Sequence, residues 1–207
     1  VCEIRNRSKR RDVMCNATSE IMTERINRNI CLIKYRKFPL RHFEKDEEIS
    51  FYPKFYNHYW LTLEHNSEAQ LIKILSSEIT KLYRSLNVEN LIFFGDYNRN
   101  WISKFTEERK DYKRLIESVS YFKKQKITKR FNGAVKVNLA ELEEFIMHFY
   151  VLTRCDAEFA YYHFLDEKEN LLGFIHYSGE VRFDTLTQKM DKVLLEELEK
   201  TKFVKKA

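Results

Sequence analysis

Glycine and proline are scarce in this chain, with four Gly and two Pro among 207 residues. Four isolated glycines supply neither a GxGxxG fingerprint nor a P-loop, since both need several neighbouring positions free of a Cβ. No Ser-rich or low-complexity stretch marks a linker. The four cysteines (Cys2, Cys15, Cys31, Cys155) are widely spaced and form no CxxC pair. That argues against a zinc knuckle and a disulfide framework, and a reduced, cytoplasmic setting is expected. No apolar run approaches the roughly 18 residues that span a bilayer. Val1 to Asp12 are charged and lack the apolar core of a secretory leader. Neither HExxH, nor a nucleophile elbow, nor a Cys/His metal spacing occurs, so no metal and no cofactor is expected.

Apolar side chains are plentiful instead. They make up 43% of the chain, with 16 Phe and 12 Tyr, enough to build the core of a folded domain. The net charge of +6 is uneven. Residues 1–41 carry +7 and residues 104–130 carry +6, whereas 42–103 and 131–207 are acidic, at −3 and −4. A basic chain average is therefore a weak pointer to nucleic acid. The run from Arg5 to Arg11 is read as a solvated basic arm, with phosphate binding as its rival reading. Two carboxylate clusters, Asp46-Glu47-Glu48 and Glu141-Glu143-Glu144, are read as solvated surface, and Cys155 as a small buried residue.

Periodicity gives the elements. Residues 1–58 are read as the basic arm followed by an irregular aromatic segment, and 59–207 as the folded body. Tyr59 to Glu64 alternates as a strand does. Ser67-Glu68-Ala69-Gln70 is a capping box opening a helix with Leu71, Leu75, Ile79 and Leu82 on one stripe. Leu91 to Gly95 reads as a buried strand and Trp101 to Phe105 as a short one. Thr106 is expected to start the next helix, with Tyr112, Leu115, Ile116 and Val119 inward. A strand over Phe131 to Val137 leads to an Asn138 cap and a helix that buries Leu142, Phe145, Ile146 and Phe149. Three strands follow, over Glu158–Leu165, Leu171–Tyr177 and Glu180–Phe183, and a last helix opens at Thr185-Leu186-Thr187-Gln188. The fold class expected is α+β, with mixed or mainly antiparallel sheet and helices on one face. Residues 59–130 and 131–207 share an element order of βαββα type, which admits either a duplication or two ordinary units of like order.

Function is sought in the last three strands. Setting Leu165 opposite Leu171, and Tyr177 opposite Glu180 across a two-residue Ser178-Gly179 turn, sorts the side chains into two faces. Ala160, Tyr162, Phe164, Leu172, Phe174, His176, Val181 and Phe183 fall on the helix side, with His176 as a core histidine. Phe159, Tyr161, His163, Ile175, Tyr177, Glu180, Arg182 and Asp184 fall on the other side, where aromatics mixed with charge resemble a protein-binding patch to which Tyr161, His163, Tyr177 and Arg182 are expected to contribute. The competing expectation is that residues 15–58 fold over that face. The function expected is non-catalytic binding of another protein, of a toxin-neutralising (immunity-type) or regulatory kind. One alternative is a nucleic-acid binder using the basic arm and stacked sheet aromatics; another is an enzyme with a scattered site.

Overall fold

The alternating segments join, in a computed structural model, into one eight-stranded sheet with a helical layer on one side and a shorter cover on the other. The structure describes residues 23–42, 48–159 and 161–206. The basic arm at residues 5–11, the cluster members Asp46 and Glu47, and Ala160 lie outside the described residues. In chain order the elements are β1 (Thr23–Ile26), α1 (Arg28–Lys34), β2 (Leu40–Arg41), β3 (Ile49–Phe51), β4 (Asn57–Thr62), α2 (Glu68–Ser85) and β5 (Asn90–Gly95). They continue as α3 (Lys104–Glu108), α4 (Lys113–Lys124), β6 (Ala134–Asn138), α5 (Leu142–Cys155), β7 (Tyr162–Asp166), β8 (Leu171–Ile175), β9 (Val181–Thr185), α6 (Gln188–Leu198) and β10 (Val204–Lys205).

The large sheet runs β1-β6-β5-β7-β8-β9-β4-β10, and every neighbouring pair is antiparallel. The chain is thus α+β, as its element order implies. Strands β2 and β3 form a separate ribbon. Strands from residues 59–130 and 131–207 interleave, since β5 lies between β6 and β7 and β4 pairs with β9. Strand β1 joins the same sheet at its β6 edge, and Ile26, Cys31, Tyr35, Phe38 and Tyr52 share a core with the rest.

Caps set the helix starts. Ser67 Oγ accepts from Gln70 N at 3.2 Å and Gln70 Oε1 accepts from Asn66 N at 2.8 Å, satisfying donors that α2 would leave open. Thr187 does the same for Met190 N at the start of α6. Three expectations are corrected. Trp101–Phe105 is not a strand: Ser103, not Thr106, caps the short α3, because its hydroxyl accepts from Thr106 N at 3.1 Å. Asn138 does not cap α5 either; its side chain accepts from Ala140 N, closing a tight turn three residues before the helix.

Helices α2, α4, α5 and α6 bury Leu75, Ile79, Phe122, Phe145, Phe149 and Leu194 against one face of the sheet. Across it runs a row of directly opposed residues, Phe93, Phe164, Gly173, Phe183 and Tyr59. The Phe93 and Phe164 rings stack with centroids 5.4 Å apart, and the Phe164 ring occupies the space a side chain at Gly173 would need. On the reverse face Cys31, Tyr35 and Phe38 of the N-terminal segment pack on Phe94, Ile92, Leu165 and Leu172. Cys31 is fully buried, and burial pushes its thiol up to about 12, so it acts as a small apolar residue. Cys155 is only partly buried, not enclosed as expected.

The register of the last three strands differs by one residue at each turn from the sequence reading. Leu165 faces Leu172, not Leu171, and Ile175 faces Val181. A one-residue slip reverses a strand's faces. Leu172, Phe174 and His176 therefore leave the helix side, and Leu171 and Ile175 take their place in the main core. The Ser178-Gly179 turn contains three residues, Tyr177 to Gly179: His176 N donates to Glu180 O at 2.8 Å, and Gly179 adopts φ +92°.

Candidate functional site

The corrected register assembles a second row of opposed residues on the reverse face. Phe94, His163, Phe174, Arg182 and Trp60 stand side by side across β5, β7, β8, β9 and β4. Alternation directs all five away from the helical layer. The Phe94 end lies under the N-terminal segment, while the Phe174–Arg182–Trp60 end is half-buried and open. The face thus divides into a covered apolar half and an open aromatic half.

Arg182 organises the open half. Its Nε donates to Asp184 Oδ1 at 2.7 Å, and the Tyr52 hydroxyl donates to the other oxygen of that buried carboxylate. The guanidinium carbon lies 5.4, 5.6 and 6.0 Å from the ring centroids of Tyr52, Phe55 and Trp60, distances at which a cation is attracted to the ring quadrupole. Burial, then the charge of Asp184, raises the Tyr52 phenol well above its ordinary value and keeps it protonated as a donor. Trp60 meets Phe174 and His176 edge-on at 6.3 and 6.4 Å. His176 is half-buried here and bonds Ser178 Oγ through Nδ1 at 2.7 Å; it is not a core histidine.

Two further arginines hold the covered half. Arg28 lies over Phe94 at 4.3 Å and donates to the carbonyls of Gly95 and Asp96, with burial lowering its pKa. Arg41 lies over Tyr161 at 4.1 Å and donates to Asp96 Oδ2 at 2.6 Å. That oxygen is 3.9 Å from His163 Nε2. His163 is 5% exposed, and among the described residues neither ring nitrogen has a hydrogen-bond partner.

The four sequence candidates meet different fates. His163 and Arg182 share the row, but His163 is buried, with Phe174 beside it and Tyr52 edge-on to its ring. Tyr161 lies at the Arg41–Asp96 corner with φ +75°, a conformation that is costly for an aromatic residue and is sustained by Arg41 over its ring and Tyr97 edge-on to it. Tyr177 lies in the turn rather than in a strand, is 63% exposed, and touches His176 at 4.1 Å between centroids. Residues 15–58 were the competing cover, and their described part does cover half of the face. Sequence reading missed Tyr52, Phe55, Trp60, Phe174 and His176. For Trp60 the signal was present, since Leu61 and Leu63 on one face leave Trp60 on the other.

Elsewhere, Ser118 Oγ and His148 Nδ1 are 3.0 Å apart, but Ser118 is buried between α4 and α5 and the pair reads as an interhelical hydrogen bond. A cavity of about 500 Å³ lies between the end of α2, the β7–β8 turn and the start of α6. Its buried carboxylate, Asp166, is already taken by the backbone N–H groups of Lys168, Asn170 and Leu171. Among the described residues no group of three or more His, Cys, Asp or Glu is placed to hold a metal, and no helix is long and apolar enough to cross a membrane.

The fold and the site together define an α+β protein with a half-covered sheet and a ring-lined arginine on its open half. No protein-family model, curated protein or solved structure matches the chain.

Proposed function

We propose that this chain is a non-catalytic protein-binding module that docks its partner on the open half of the sheet. The observation that carries the reading is Arg182, seated among Tyr52, Phe55 and Trp60 and held by buried Asp184. Trp, Tyr and Arg are the residue types that dominate interface energetics, because they offer large rigid area and several donors at low entropic cost. Tyr161 and His163 contribute as support beneath the surface, Tyr177 and Arg182 by direct contact. A toxin-neutralising or regulatory role in the cytoplasm is the form of such binding that size and composition suggest.

Affinity capture from the native host, with and without nuclease, compared between wild type, Trp60→Ala and Tyr177→Ala, tests the reading. A protein retained by wild type through nuclease treatment should bind the Trp60 variant about 2 kcal/mol more weakly, roughly 30-fold, at an unchanged melting temperature. Equal affinity of all three chains would overturn it. A melting temperature that falls while affinity holds would mean the rings serve only stability. Capture abolished by nuclease would favour the nucleic-acid alternative.

A further inference from the structure

We propose that Arg182 anchors a carboxylate carried by an acidic segment of the partner protein, an inference that rests on the open half of the sheet being a docking surface. Arg182 spends one donor, Nε, on Asp184, and among the described residues no acceptor meets either Nη. The two Nη groups carry four of the five guanidinium N–H bonds. The side chain is 24% exposed, and its guanidinium carbon lies within 6.0 Å of the ring centroids of Tyr52, Phe55 and Trp60. Little rotamer freedom is left to lose on binding. Trp60 adds an indole N–H that likewise meets no acceptor among the described residues.

Donor geometry fixes the chemistry of the occupant. The surface offers hydrogen-bond donors beside rings, and its nearest carboxylate, Asp184, is buried and engaged by both Arg182 and Tyr52. An incoming carboxylate matches the planar fork with two parallel bonds, and apolar atoms flanking it rest on Trp60 and Phe174. A single acidic side chain suits this better than a nucleic-acid backbone. Asp184 already offsets the arginine's charge and Glu180 pairs with Lys206 at 2.6 Å, so the described residues of this face do not form the row of uncompensated cations that a polyanion requires.

Random dodecapeptides displayed on phage, selected on the wild-type chain, provide the probe, with oligouridylate titrated in parallel. Selected peptides should share one Asp or Glu. Changing it to Asn or Gln should weaken binding about tenfold or more, and Arg182→Lys should lose a similar factor, because lysine keeps the charge without the fork. The peptide substitution leaves the protein intact, so a folding defect in a variant cannot mimic the result. Peptides that depend on Trp60 but tolerate loss of the acid would overturn the carboxylate anchor and leave the docking face standing. Failure to select peptides, or peptides indifferent to Trp60→Ala, would overturn both. Oligouridylate binding that disappears in Arg182→Lys would overturn the choice of a protein partner.

Discussion

Gly173 has no room for a side chain. A Cβ there would meet the Phe164 ring at 2.1 to 2.7 Å, and that ring is itself wedged between Phe93 and Phe183. Gly173→Ala should therefore cost about 1–3 kcal/mol, the usual range for overpacking a dense core. Urea unfolding of Gly173→Ala and of Gly173→Ala with Phe164→Leu measures it. The second change removes part of the obstructing ring, so the double variant should recover stability relative to the additive expectation. Additive losses would mean that the ring is not the obstacle. Phe164 and Gly173 stand out in the sequence only as a ring and a gap; their opposition depends on register, which alternation alone left one residue out.

Among elements, turns decided what the sequence hid. Strand β8 carries Leu171 and Ile175 on one face and Leu172 and Phe174 on the other, so its two faces look alike and periodicity cannot choose between them. The choice is made by Asp166, whose carboxylate gathers three backbone N–H groups and sets a four-residue connection from β7 to β8. The cap at Ser67 was legible because it lies directly ahead of one strong apolar stripe, whereas Thr185, where the last helix was expected to open, ends β9, and Thr187 caps α6 two residues later. Ser103 was obscured by Thr106, an equally good capping type three residues later.

Helices α4 and α5 meet at His148, which stacks on Tyr121 at 4.2 Å and bonds Ser118. Burial lowers its pKa from 6.5 to about 4. The folded chain then resists a proton that the unfolded chain accepts, so stability should fall as pH drops from about 6.5 toward 4 and be unaffected by this group above that window. Subtracting the pH–stability curve of His148→Gln from that of wild type isolates the effect from the carboxylates. A flat difference across the window would remove His148 as its source.

At the scale of the whole molecule, the sheet is ordered by distant partners. The β4 strand pairs on one side with β9 and on the other with β10, and Thr185 bonds the backbone of Asn57 across 128 positions of sequence. Tyr52 and Phe55 depend on the same region, since Asp184 and Arg182 hold them. A chain cut after residue 180 should lose β4, the aromatic surface and cooperative unfolding together, which thermal circular dichroism of the fragment would show. A sharp transition near the wild-type temperature would mean that β4 is held by something other than β9. The sequence showed the strand character of β4 but not its partner, because pairing order across a sheet leaves no local trace.

That pairing has a consequence during synthesis. At the usual elongation rate of roughly 5–20 residues per second, β4 leaves the ribosome on the order of 10 s before β9 does. Through that interval Leu61 and Trp60 belong to a strand with an open edge and no sheet to join. The growing chain is then a natural client for whatever holdase attends the ribosome exit, and slowing translation between residues 62 and 181 would lengthen its exposure to aggregation.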